Sequence, residues 1–300
     1  MKRLATSGYF LVLMAALGFS FKSILVKAAY GYGVEPMTLM LMRIFIAMPL
    51  YIVTLLIVEG RGAFSVSARE LLLFAFMGIV GIGCAMLFSF YSLELIDASL
   101  ATLVVFTYPA MTVVLLLLFF GERATIPKFV SLGVTFLGLI MVVRIDRVDF
   151  LAVNGKGILL GLVAAFAFAL YNAMSERAVK TVSPVRLISY CMFFFVAFFG
   201  VLFGNRPYPA TPQVWGLAAL LGLFTGFMPF LFFLYGIKRI GAGRAVIIGS
   251  LGPLFTVIWA FLLLGERLDT VQIGGMVVAI IGVMALRLGE PEVARARIER

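Results

Sequence analysis

The chain has 300 residues, 63% of them hydrophobic and 13% charged, with a mean hydropathy of +1.15. Soluble domains carry roughly 45–50% apolar residues, so a soluble globular fold is excluded and the bilayer is the solvent for most of the chain. The net charge of +10 comes from 24 basic residues scattered over the ends of apolar segments, not gathered in one stripe, which argues against nucleic acid as a partner.

Met1-Lys2-Arg3 before an apolar run resembles a signal peptide. The run extends over 8 to 28 without a convincing A-x-A cleavage site, and we read it as a retained first helix. Further spans are expected at 37 to 58, 71 to 93, 98 to 120 and 128 to 144, then at 156 to 178, 184 to 204, 214 to 236, 242 to 264 and 271 to 287. The breaks hold turn or charged residues, among them Gly31 to Pro36, Glu59 to Gly62 and Arg206 to Pro209. With the N-terminus inside, 16 basic residues fall on the cytoplasmic side and 6 on the other, Lys22 and Arg43 lying within spans. Both termini are thus expected in the cytoplasm, the protein in the inner (plasma) membrane and residues 291–300 in a short tail.

Segment 98 to 123 can be laid on 242 to 267 at a constant offset of 144, with Ala98/Ala242, Ala101/Ala245, Pro109/Pro253, Thr112/Thr256, Val113/Val257 and Leu118/Leu262 coinciding. The triplets Gly121-Glu122-Arg123 and Gly265-Glu266-Arg267 coincide as well, and the same offset pairs Tyr91 with Tyr235, Ile96 with Ile240 and Gly138 with Gly282. Two units follow, 1–148 and 149–290, each of five helices. An odd number of spans sets the second unit upside down relative to the first, a construction used by secondary transporters. The expected fold is an all-α membrane protein of ten transmembrane helices in two inverted repeats.

These triplets, each after a proline-containing helix and before a helix punctuated by Gly133 and Gly138 or by Gly274, Gly275 and Gly282, resemble the drug/metabolite transporter superfamily, EamA type. Leu17-Gly18-Phe19-Ser20-Phe21 and 165–171 resemble the first helices of its two units, although the usual tryptophan is missing from both. The resemblance implies transport, commonly export of amino acids or related metabolites, without naming a cargo.

A charge inside a span costs roughly 2.5–3.5 kcal/mol on insertion scales and is a functional hypothesis by default. Lys22, deep in helix 1 and one turn from Gly18, either binds an anionic group or makes a structural pairing. Arg43 joins it in binding, has a structural role or snorkels to an interface. No Asp or Glu falls in mid-span; Glu94, Asp97, Glu122, Glu176 and Glu266 stand at helix ends. The four-helix multidrug relatives that this chain resembles use a glutamate in helix 1, whereas the charged residue in this helix 1 is Lys22, so drug-for-proton antiport of that kind is not expected. Glu94 and Asp97 either couple a proton or are a solvated helix end. Tyr91, Tyr108, Tyr171, Asn172, Tyr235 and Ser250 offer polar groups for a binding surface, with Tyr91 and Tyr235 near enough to helix ends to act as interfacial anchors. Pro109 and Pro253 free the carbonyls of Val105 and Gly249 and kink helices 4 and 9 at mid-span, helped by Gly249 and Gly252. They are hinges for alternating access or static packing. The 30 phenylalanines read mostly as lipid-facing or core bulk, not as a stacking site.

Cys84 and Cys191 lie in separate apolar segments without metal-ligand spacing, and the chain has no histidine. An intramembrane enzyme is disfavoured by the lack of a nucleophile–base or ligand set, and no metal or cofactor is expected. A channel or sensor would need a polar pore or a soluble domain. The expectation is a secondary transporter exporting a small polar metabolite, an amino acid or derivative, as a monomer or homodimer. An uncoupled facilitator, or an exchanger of another organic anion or drug-like solute, is the alternative.

Overall fold

In a computed structural model of the protein, residues 7–96, 98–121, 125–147, 154–205, 208, 211–264 and 269–288 are described, and among them there is no β-strand. They form ten helical spans: α1 (Gly8–Tyr30), α2 (Pro36–Glu59), α3 (Ala68–Leu95), α4 (Ala98–Val105 and Tyr108–Phe119), α5 (Ile126–Val143), α6 (Gly155–Thr181), α7 (Pro184–Phe203), α8 (Pro212–Ile240), α9 (Ala242–Gly249 and Gly252–Leu264) and α10 (Thr270–Leu288). Among the described residues nine helices are long and apolar enough to cross a bilayer, and α10 carries a shorter apolar stretch, Thr270–Ala285. Each span lies within a few residues of its expected place. Glu122, Arg123 and the triplet 265–267 lie outside the described residues, as does Asp97.

Local chemistry explains where the helices start. Pro36, Pro184 and Pro212 open α2, α7 and α8, where the missing N–H costs nothing. At the head of α3 the Glu70 amide donates to the Ser67 hydroxyl and the Ser67 amide to the Glu70 carboxylate at 2.8 Å. Gly241, at φ +84°, turns α8 into α9 within one residue, in a conformation that a side chain would strain.

The repeat is legible in the packing. Both α3 and α8 contain a seven-residue π-helical stretch, Met77–Gly83 and Leu221–Phe227, and these coincide at the offset of 144 found in the sequence. A methyl group on Gly78 would lie 2.1 Å from the Cys191 carbonyl oxygen of α7, and one on Gly222 would lie 2.8 Å from the Arg43 carbonyl oxygen of α2. Each repeat thus seats its π-helical glycine on the second helix of the other. The fifth helices pair likewise: a methyl on Gly138 would meet the Ala279 nitrogen at 2.4 Å, and one on Gly282 the Thr135 nitrogen at 2.5 Å. Small residues let α5 and α10 approach backbone to backbone, the usual source of cohesion between helices in lipid.

Across that seam the Ser131 hydroxyl donates to the Gly282 carbonyl at 2.5 Å. Ser131→Ala is expected to lower stability by about 0.6 kcal/mol, the average for such bonds between membrane helices. Thermal unfolding in detergent should show a small downward shift, and an unchanged midpoint would mean that the bond contributes nothing.

We call the end of the bundle where α1 begins the near end and the other the far end. At the near end the Glu59 carboxylate of α2 takes the Ser183 hydroxyl and the Arg186 guanidinium of α7. At the far end Arg144 joins α5 to Asp269 at the head of α10 while binding Asp146 at 2.6–2.8 Å. The hydrogen bonds to Asp146, with Asp269 adding to them, hold the Arg144 guanidinium above its already high ordinary pKa.

Candidate functional site

Four helix irregularities meet at mid-span. α4 breaks at Phe106-Thr107 and α9 at Ser250-Leu251, each just before its proline, as the missing N–H groups of Pro109 and Pro253 require. The two breaks touch: a methyl on Gly249 would lie 3.1 Å from the Tyr108 hydroxyl, and one on Gly252 would lie 3.2 Å from the Phe106 ring. α1 breaks at Phe21, which the sequence does not announce. There the Ser20 carbonyl accepts the Thr256 hydroxyl of α9 at 3.0 Å, and the Ser20 hydroxyl accepts the Trp259 indole N–H at 3.0 Å. Phe21 stacks on Trp259, with ring centroids 4.5 Å apart. The fourth irregularity is the π-helical stretch of α8.

The breaks of α1, α4 and α9 border a central cavity of about 130 Å³ between the repeats, lined by Lys22, Arg43, Tyr108, Gly249 and Gly252 among the expected site residues. That is smaller than the roughly 300–1,000 Å³ of sites for drug-sized ligands. It runs from the mid-span breaks towards the far end, where Leu93, Ala101 and Thr102 line it. Towards the near end Val12, Ala15, Ala16, Ala245, Val246 and Ile247 form a buried apolar layer. Beyond that layer the Glu176 carboxylate of α6 accepts the Ala242 amide at the head of α9 and pairs with Lys180 at 3.1 Å.

Lys22 begins the second half of α1 and is half-buried, its Nζ donating to the Ser89 hydroxyl of α3 at 3.1 Å. Arg43 is 2% exposed and does not snorkel; its Nη2 donates to the Thr225 carbonyl in the π-helical stretch of α8 at 2.6 Å. The neighbouring Gly226 carbonyl takes the Tyr51 hydroxyl at 3.0 Å. Nε and Nη1 of Arg43 are buried without a hydrogen-bond partner among the described residues. No Asp or Glu lines the cavity among the described residues. Two basic side chains thus face one low-dielectric space, with guanidinium donors unused among the described residues.

The packing shows why this chemistry is one-sided. Gly8 sits on Arg239 and Ile240 as Gly157 sits on Leu95 and Ile96, so α1 and α6 correspond 149 residues apart and Lys22 is matched by Tyr171. Pro36 and Pro184 open α2 and α7 with an offset of 148, which sets Arg43 against Cys191. Both cations belong to the first repeat, and the second has neutral residues in their places.

The remaining expected residues fall elsewhere. Pro109 and Ser250 line a second cavity, of about 350 Å³, between α4, α5 and α9. Pro253 is buried in the first turn of the second half of α9. Tyr171 and Asn172 are buried in α6 off the central cavity, and among the described residues neither the Tyr171 hydroxyl nor either polar atom of the Asn172 side chain has a hydrogen-bond partner. Tyr91 and Tyr235 are half-buried and do not line it. Glu94 is exposed at the end of α3, as a solvated helix end would be.

Five of the 30 phenylalanines have a more particular place. Phe19, Phe106, Phe168, Phe230 and Phe233 wall the cavity with Tyr108. Phe19 meets Phe230 edge to face at 5.1 Å between centroids, and Tyr108 meets Phe168 at 4.8 Å. The repeat held a signal for two of them, since Phe19 and Phe168 are equivalent at the 149-residue offset.

The EamA-like transporter family model matches residues 6–144 and 155–288. An uncharacterized transporter of Bacillus subtilis, YcbK, is 27% identical over 303 residues, covering 97% of each chain. A Rickettsia conorii protein named as an S-adenosylmethionine uptake transporter is 27% identical over 191 residues, 63% of each chain. A solved crystal structure shares the fold with a TM-score of 0.77 at 18% identity, over 96% of this chain and 98% of that one. With both halves matched and the fold shared end to end, the chain belongs to the EamA-like transporter family.

Proposed function

We propose that the protein is a secondary carrier that exports a small polar metabolite, an amino acid or derivative, by alternating access, with the substrate's anionic group held between Lys22 and Arg43. The observation that carries this reading is the convergence of two cations on one central cavity without a lining carboxylate. The broken helices α4 and α9 support the motion, because each is already divided where the cavity must change its opening. With the near end taken as cytoplasmic, the arrangement is the outward-facing one, closed inside by the apolar layer and by Glu176 on α9. Outward direction is what the family resemblance implies, and the proposed residence is the inner membrane with both termini cytoplasmic.

Counterflow in proteoliposomes tests the carrier. Vesicles preloaded with one unlabelled solute from a panel of amino acids, organic acids and S-adenosylmethionine receive the same solute labelled outside. S-adenosylmethionine belongs in the panel because of the Rickettsia relative, although its sulfonium charge suits a cationic cavity poorly. A carrier trades molecules through an occluded state and should accumulate label transiently, several-fold over empty vesicles. Flux that never exceeds simple equilibration would mark a channel and overturn the reading.

A further inference from the structure

The wall of the cavity made by the two helix breaks has a chemistry of its own. The half-helices Ala98–Val105 and Ala242–Gly249 start at opposite ends of the bundle and both end at mid-span, so two carboxyl-terminal dipole ends converge there. Pro109 and Pro253 cannot donate to the carbonyls of Val105 and Gly249, and among the described residues no other hydrogen bond reaches either oxygen. Val105 and Gly249 both line the central cavity. Tyr108, 5% exposed, lines it too, and its hydroxyl lies against Gly249 without a protein partner among the described residues.

We infer that the break is a cation subsite, in which the Val105 and Gly249 carbonyls and the Tyr108 hydroxyl receive a small cationic group while Lys22 and Arg43 hold an anionic one. Carbonyls left open at an unwound helix end bind cations in membrane carriers generally, and here they are supplied once by each repeat. The cavity then presents two cations on one wall and three oxygen acceptors on another, a pattern that fits a zwitterion or an anion travelling with an alkali ion. The inference rests on the carrier reading of this cavity and adds the second pole to it.

The probes are sodium chloride, methylammonium chloride and choline chloride at matched ionic strength, with the thermal midpoint of the purified protein as readout. Pro109→Ala and Pro253→Ala together restore two N–H donors to the open carbonyls and should leave the protein at least as stable as before. Wild type should gain a few degrees with sodium or methylammonium over choline, and the double variant should lose that gain. Tyr108→Phe should weaken it several-fold in half-saturating concentration. A response to sodium assigns the subsite to a free ion; a response to methylammonium alone assigns it to the substrate's ammonium. Equal midpoints in all three salts, or a gain undiminished in both the double variant and Tyr108→Phe, would overturn the inference. Choline acetate against choline chloride reads the Lys22 and Arg43 wall by itself, so that failure of one pole is distinguishable from failure of the carrier reading.

Discussion

Replacing Lys22 by methionine is expected to cut counterflow at least tenfold and to leave the protein as stable as before or more stable. Methionine keeps most of the volume and the flexible stem, so the change isolates the charge. Among the described residues Lys22 makes one protein hydrogen bond, to the neutral Ser89 hydroxyl, and no carboxylate lines the cavity it faces. An ion in that position has given up hydration without a counter-charge, so deleting it relieves a cost and orphans only a hydroxyl. A substrate that uses Lys22 for a charge-assisted hydrogen bond loses about 1.5–3 kcal/mol, roughly a 10- to 150-fold fall in affinity. Transport measured well below saturation should fall by the same factor. Arg43→Met should lose transport similarly, with some stability lost because the Thr225 carbonyl forfeits its partner. If Lys22→Met melts lower and still transports at the wild-type rate, Lys22 is structural and the anionic group binds elsewhere.

The ten spans were readable because each crossing needs an apolar run that punctuation bounds, and in lipid that requirement admits few exceptions. The inverted repeat was readable at α3 to α5 and α8 to α10, where one offset holds throughout. It fades at α1/α6 and α2/α7, whose offsets of 149 and 148 differ from the 144 of the later helices, so that no single alignment shows Lys22 facing the place of Tyr171. The helix breaks of α4 and α9 follow from proline. That of α1 does not, since it depends on Thr256 and Trp259 of a distant helix engaging Ser20. Which polar residues reach the cavity was the least legible part. Asn172 directly follows Tyr171, and both are buried away from the cavity, whereas Ser89 and Thr256 line it. Hydropathy places a residue at a depth in the membrane, but the rotation of its helix is settled by neighbours such as Gly78 and Gly222.

Those two glycines carry the largest expected effect on folding. A methyl on Gly78 would stand 2.1 Å from the Cys191 carbonyl oxygen and 2.9 Å from its carbonyl carbon and Cα, so the clash is with backbone and no rotamer change relieves it. A methyl on Gly222 would stand 2.8 Å from the Arg43 carbonyl oxygen and 3.6 Å from the Ala47 nitrogen, a milder conflict but again with backbone, so that α2 itself must shift. Overpacking of a close-packed interior costs about 1–3 kcal/mol and occasionally more. Gly222→Ala is expected within that range and Gly78→Ala above it, with little folded protein recovered in detergent for the latter. Because the α2 shift carries Arg43 with it, Gly222→Ala should also depress transport more than its modest loss of stability explains, whereas a surviving fraction of Gly78→Ala should fail chiefly by unfolding. Size-exclusion profiles with thermal midpoints, compared with counterflow per folded molecule, separate the two. Wild-type stability in Gly78→Ala would mean that α3 and α7 do not approach as closely as the pseudo-twofold packing requires, and the correspondence of Cys191 with Arg43 would fall with it.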